Sequence, residues 1–153
     1  MANMNTFKDK VHQHFLKLLD DKISVIQQKL DDLQESLKNE TKSTAGDKHE
    51  TARAFVHIEQ ENTGRQLEVL LQQKAELQSF SAINIHDTIV PGALVKTDRG
   101  WLYISASIGK AAIDSETVFA LSPQSPLGKK LIGCKVGGSV EINGIKYTVA
   151  DSI

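Results

Sequence analysis

The chain has 153 residues, 24% charged and 40% hydrophobic, with a net charge of −1. That is room for one ordinary domain or two small ones, and near-neutrality excludes a general affinity for free nucleic acid or an anionic membrane. Cys134 is the single cysteine, so no internal disulfide can form, and no stretch approaches the ~18 apolar residues of a membrane span. A cytoplasmic protein with no membrane partner is the expectation.

Residues from about Phe7 to Asn39 carry a helical pattern. Apolar side chains fall at Phe7, Val11, Phe15, Leu19, Ile23, Ile26, Leu30, Leu33 and Leu37, three or four apart, and from Ile23 onward the seam is heptad-like. Acids and lysines occupy the other face, and no Gly or Pro interrupts the run. Lys42 to Gly46 then reads as a turn. A second helix is predicted from Asp47 to Gln78, with a weaker seam that places polar Glu59 and Thr63 among its apolar positions and contains Gly64. Two long helices joined by a few residues run antiparallel. Residues 1–80 thus read as an antiparallel coiled-coil hairpin with its tip near 42–51. A single seam gives no deep core, so the middle and tip are expected to be less stable than the base.

The pattern changes after Phe80. Pro91-Gly92 is a turn, and Ala93–Val95 and Trp101–Ile108 read as strands around Thr97-Asp98-Arg99-Gly100. Thr117–Leu121 reads as another strand. Ser125 suits an N-cap, Pro126 the first helical position and Gly133 the stop of a short helix. Val140–Ile142 and Ile145–Val149 flank Asn143-Gly144, the dipeptide of a type I′ hairpin. Residues 81–153 form a small β domain with a short helix, and the fold class is α+β. The joint, Ser79 to Thr88, is expected to allow some freedom.

Asp47 and Glu50 stand three apart at a helix start, which places both carboxylates on one face. Such a pair at the end of a helical rod can supply ligands for Mg²⁺ in a site completed by another molecule. The same spacing resembles a capping box, and both charges suit the positive end of the helix dipole. On spacing alone the cap has the stronger claim. The five histidines show no zinc spacing. Cys134 reads as a small apolar residue, and Lys129-Lys130 as a solvated pair or a contact for an acidic partner. Trp101 and Tyr103 share one strand face, with core packing the reading for at least one of them. No phosphate loop, dinucleotide fingerprint or serine elbow is present, and no small-molecule substrate is indicated.

The run Leu121-Ser122-Pro123-Gln124-Ser125-Pro126-Leu127-Gly128, followed by Gly133, Val136, Gly137 and a hairpin ending in Tyr147, resembles the GreA/GreB family of bacterial transcription elongation factors. Gly46-Asp47-Lys48-His49-Glu50-Thr51-Ala52 is similar to that family's Gly-Asp-Leu-x-Glu-Asn-Ala hairpin tip. The likeness runs in the same order along nearly the whole chain.

The resemblance implies an FKBP-like, antiparallel C-terminal domain that docks on RNA polymerase through Ser122, Pro123, Ser125, Pro126 and Leu127. It implies a coiled coil that enters the secondary channel, and tip carboxylates, Asp47 and Glu50, that share a Mg²⁺ with the polymerase. The polymerase then cleaves backtracked RNA. The chain would be a factor rather than an enzyme, in indirect contact with nascent RNA, within a family associated with DNA binding. Three tip residues depart from the family: Lys48 replaces an apolar residue, Thr51 stands for Asn and Ala54 for Tyr. A non-cleaving channel regulator and a plain coiled-coil interaction module are the alternatives.

Overall fold

The computed structural model describes residues 2–41, 46–80 and 87–153, with side chains described for 6–39, 50–80 and 87–153. The elements are α1 (Ala2–Thr41), α2 (Gly46–Gln78), β1 (Leu94–Thr97), β2 (Gly100–Ile104), β3 (Gly109–Ile113), β4 (Glu116–Leu121), α3 (Pro126–Leu131), β5 (Ser139–Ile142) and β6 (Ile145–Ser152). The fold is α+β, as the sequence pattern predicts. The turn residues 42–45 and most of the joint, 81–86, lie outside the described residues. Two compact units form, one from Met1–Lys17 with Gln73–Ile153 and the other from Leu18–Gln72.

In the first unit six strands make one sheet in the order β3-β4-β2-β1-β6-β5. The sheet is mixed rather than wholly antiparallel, because β2 pairs with β4 in parallel, with Trp101 to Ile104 in register against Val118 to Leu121. The sequence pattern omits the reason, which is β3. Its Gly-Lys-Ala-Ala-Ile lacks β-branched alternation, and its hairpin to β4 turns on Asp114 and Ser115, both at positive φ without a glycine. The stretch after Ile104 therefore leaves the strand, forms β3 and returns as β4 beside β2. The Asn143-Gly144 turn has the expected positive φ at both residues.

Both faces of the sheet are covered. Leu102, Ile104, Val95, Leu121 and Val149 form one apolar cluster with Leu131 of α3. Trp101 and Tyr103 point to the opposite face, where the first turns of α1 lie. Phe7 packs at 5.1 Å on Trp101, and Phe15 lies 6.5 Å from the Tyr103 ring. Val11, Phe15 and Tyr103 are fully buried. A strand buried on both faces has no polar alternation, and β2 has none after Gly100.

His12 Nδ1 lies 2.7 Å from the Tyr103 hydroxyl, the polar contact at the centre of this packing. Burial lowers the His12 pKa, against the raising effect of Asp9 and with a further lowering by Lys8. Burial also raises the Tyr103 pKa, with Asp9 adding to it. The folded protein therefore favours a neutral imidazole and a protonated tyrosine hydroxyl across this hydrogen bond.

In the second unit α1 and α2 run antiparallel. Leu18 to Ile26 face Gln66 to Leu70, and Lys29 Nζ approaches Glu59 at 3.9 Å. Leu19, Ile23 and Val56 are buried, as is Thr63, the polar residue in the weak seam. Gly64 is helical, and a Cβ added there meets nothing within 4 Å.

Gly64→Ala is therefore expected to raise stability by about 1 kcal/mol through backbone entropy alone, read as a shift of the urea midpoint. His12, with a folded pKa below its unfolded one, contributes stability that is complete above the unfolded value and is lost as pH falls below it. His12→Gln flattens that part of the stability–pH curve. An unchanged slope would assign the pH dependence to other groups.

Candidate functional site

α2 begins at Gly46, so the backbone of Asp47 and Glu50 lies in its first turn. The Glu50 side chain is exposed, while those of Asp47, Lys48 and His49 lie outside the described residues. Among the described residues no group of three or more His, Cys, Asp or Glu is placed to hold a metal. Carboxylate oxygens are the donor type that Mg²⁺ takes, and it usually keeps several waters beside them. Thr51, Arg53 and Ala54 are exposed beyond them.

The serine-proline segment shows why its residue types are needed. Ser122 Oγ accepts from Gln124 N at 3.0 Å and donates to Glu76 Oε1 at 3.3 Å. Ser125 Oγ donates to the Ser122 carbonyl at 2.6 Å and accepts from Gly128 N at 3.1 Å, which makes it the N-cap of α3. Pro126 occupies the first turn, where its missing N–H costs nothing. Gly128 is buried, and a Cβ there would overlap the Ser122 carbonyl oxygen. Ser122 and Ser125 therefore hold the turn, and Pro123 is buried beneath it.

Pro126 and Leu127 border an apolar groove of about 530 Å³ between β3–β4, α3 and the β5–β6 hairpin. Ile108, Phe119 and Ile142 complete its floor and rim, and Phe119 is 36% exposed. Ser107, Gly109, Ser125 and Asn143 supply the few polar edges. The structure thus brings Ser125, Pro126 and Leu127 together with residues around β3 that the sequence pattern omits. Only the hairpin of β3 and β4, and the long-range pairing of β4 with β2, assembles that wall.

Of the lysine pair, Lys130 Nζ donates to the Glu141 carbonyl at 2.7 Å, tying α3 to β5, and Lys129 is exposed. Cys134 packs partly buried against the core cluster, with Sγ 3.2 Å from the Lys130 carbonyl. His12 and Lys8 carry pKa shifts that sequence spacing does not reveal. Lys8 is buried, burial lowers its pKa against the pull of Asp9, and it lines a cavity of about 110 Å³ with Ser79 and Phe80. Those residues follow the last turn of α2, which has no basic residue of its own. A cation there faces the negative end of the helix dipole. Among the described residues no helix is long and apolar enough to cross a membrane.

No protein-family model and no curated protein matches this chain. Among solved structures, the transcription factor Gfh1 is similar at 15% identity and a TM-score of 0.36, over 90% of this chain and 92% of that one.

Gly128→Ala is expected to cost about 1–3 kcal/mol in urea unfolding, because backbone must shift to admit the methyl group. An unchanged midpoint would show that the segment relaxes freely.

Proposed function

We propose that the chain is a Gre-like factor of RNA polymerase, acting at the secondary channel and stimulating cleavage of backtracked RNA. The observation that carries this reading is one chain combining a two-carboxylate helix start with a serine-proline turn that borders an apolar groove. The order of the two motifs along the chain, and their resemblance to the GreA/GreB pattern, support it.

In this reading Pro126 and Leu127 meet the polymerase, with Ser122, Pro123 and Ser125 fixing the turn that presents them. Asp47 and Glu50 contribute oxygen ligands to a Mg²⁺ whose other ligands come from the polymerase. The bound ion supplies activation of water and charge stabilisation for in-line displacement at phosphorus. The chain's own share is to place two acceptor-only carboxylates, with the α2 dipole favouring their ionised form. The polymerase keeps the chemistry, so the chain is a factor and not an enzyme. Lys48 beside Asp47, with Thr51 and Ala54 in place of the family residues, favours a second reading, a channel regulator that binds without cleaving.

A backtracked complex of the cognate polymerase separates the two. Addition of the protein with Mg²⁺ is expected to accelerate 3′-end cleavage. Asp47→Ala and Glu50→Ala are expected to lose at least the roughly 10–100-fold that even outer-shell changes cost at metal sites. Leu127→Asp is expected to weaken binding with the tip intact. Binding without cleavage selects the regulator, and no binding to polymerase overturns both.

A further inference from the structure

The hairpin carries an exposed apolar face that its own two helices do not use. Val25 of α1 and Val69 of α2 are 68% and 54% exposed, and with Leu18, Ile26 and Leu70 they line an apolar groove of about 550 Å³. Further along α2, Ile58 and Phe55 are 56% and 62% exposed. Phe55, Asn62 and Val69 are spaced by heptads, so they share one side of α2, and Ile58 falls on the same side. Val56 and Thr63 are buried on another side, against α1. One face therefore bears a projecting ring, Phe55, and an open groove at Val69, about 21 Å apart at ~1.5 Å per residue, with Asn62 midway between them.

We propose that this face pairs with the same face of a second copy of this chain, antiparallel, about a two-fold axis at Asn62. A two-fold makes the contact isologous, so one copy's knob and hole serve the other's hole and knob. Phe55 of each copy then enters the groove beside Val25 and Val69 of the other. At the axis the two Asn62 amides meet, and an amide is self-complementary, being both donor and acceptor. An asparagine at such a seam fixes register.

Arg65 Nη2 donates to Glu61 Oε1 at 2.5 Å on the outer edge of this face, both side chains well exposed. The two-fold sets Arg65 of one copy nearly level with Glu61 of the other, within about 3 Å along the helix. Along one side of the seam the order is then Arg65, Glu61, Glu61, Arg65, so each arginine lies beside a glutamate of the other copy and the two glutamates flank the axis. A parallel two-fold pairing would instead send the two Arg65–Glu61 pairs to opposite sides of the seam. It would also leave Phe55 opposite Phe55, with both grooves unfilled. The pairing depends only on residues of the second unit and is independent of the reading as a polymerase factor.

The test uses the full chain and two readouts. Sedimentation velocity over rising concentration is expected to show monomers giving way to dimers, and Phe55→Asp is expected to abolish the dimer while leaving the circular dichroism spectrum unchanged. In a Cys134→Ser background, Asn62→Cys is expected to form covalent dimers with a short bis-maleimide roughly tenfold or more faster than His57→Cys, owing to effective concentration across the axis. His57 is exposed on a different side of α2. A mass that stays monomeric at all concentrations overturns the proposal and leaves the face to a different partner. A dimer whose Asn62→Cys variant cross-links no faster than its His57→Cys variant overturns the pairing about Asn62.

Discussion

The contact between Tyr103 and His12 holds the first unit together. The tyrosine ring is fully buried, and its hydroxyl meets the imidazole at 2.7 Å. One contact thus joins the centre of a six-stranded sheet to the beginning of a long helix. The ring supplies apolar area, and the hydroxyl satisfies a polar group that burial would otherwise leave costly. Phe7 and Phe15 flank it by packing on Trp101 and on Tyr103 itself.

The two faces of the sheet have different characters. The face toward α1 is aromatic, with the His12–Tyr103 hydrogen bond within it and the exposed Lys10–Asp114 ion pair at its edge. The other face packs Leu131 of α3 and then opens at Pro126 and Leu127 into the groove. The serine-proline turn stands between core and groove. The Ser125 hydroxyl closes on backbone groups of the same turn, and the Ser122 hydroxyl accepts from Gln124 N and reaches out to Glu76 of α2, so the shape of the turn is fixed within the first unit. That pre-organisation suits a docking surface, since little ordering remains to be done on binding.

The hairpin unit has the opposite character. Its inner seam is thin, with Thr63 and a partly buried Glu59 among the apolar residues. Its outer face keeps large apolar side chains in water. Self-pairing would take that face out of water.

Periodicity specified the first long helix, since an uninterrupted three-to-four spacing has no other regular solution, and a weaker form of the same spacing, broken by Glu59 and Thr63, specified the second. Local chemistry specified the ends of α3 and the Asn143-Gly144 turn, because capping and positive φ are read over four residues. The carboxylate pair at the start of α2 was equally legible as a pair, although spacing could not choose between cap and ligand. The remainder was settled by long-range packing. The strand β3 has weak local signals and exists because β4 pairs with it, and its hairpin returns β4 parallel to β2. The groove wall at Ile108 and Phe119, the burial of Lys8, and the meeting of His12 with Tyr103 all join residues far apart in sequence. Side chains so separated leave no periodic trace, and their contacts are set by packing rather than by local propensity.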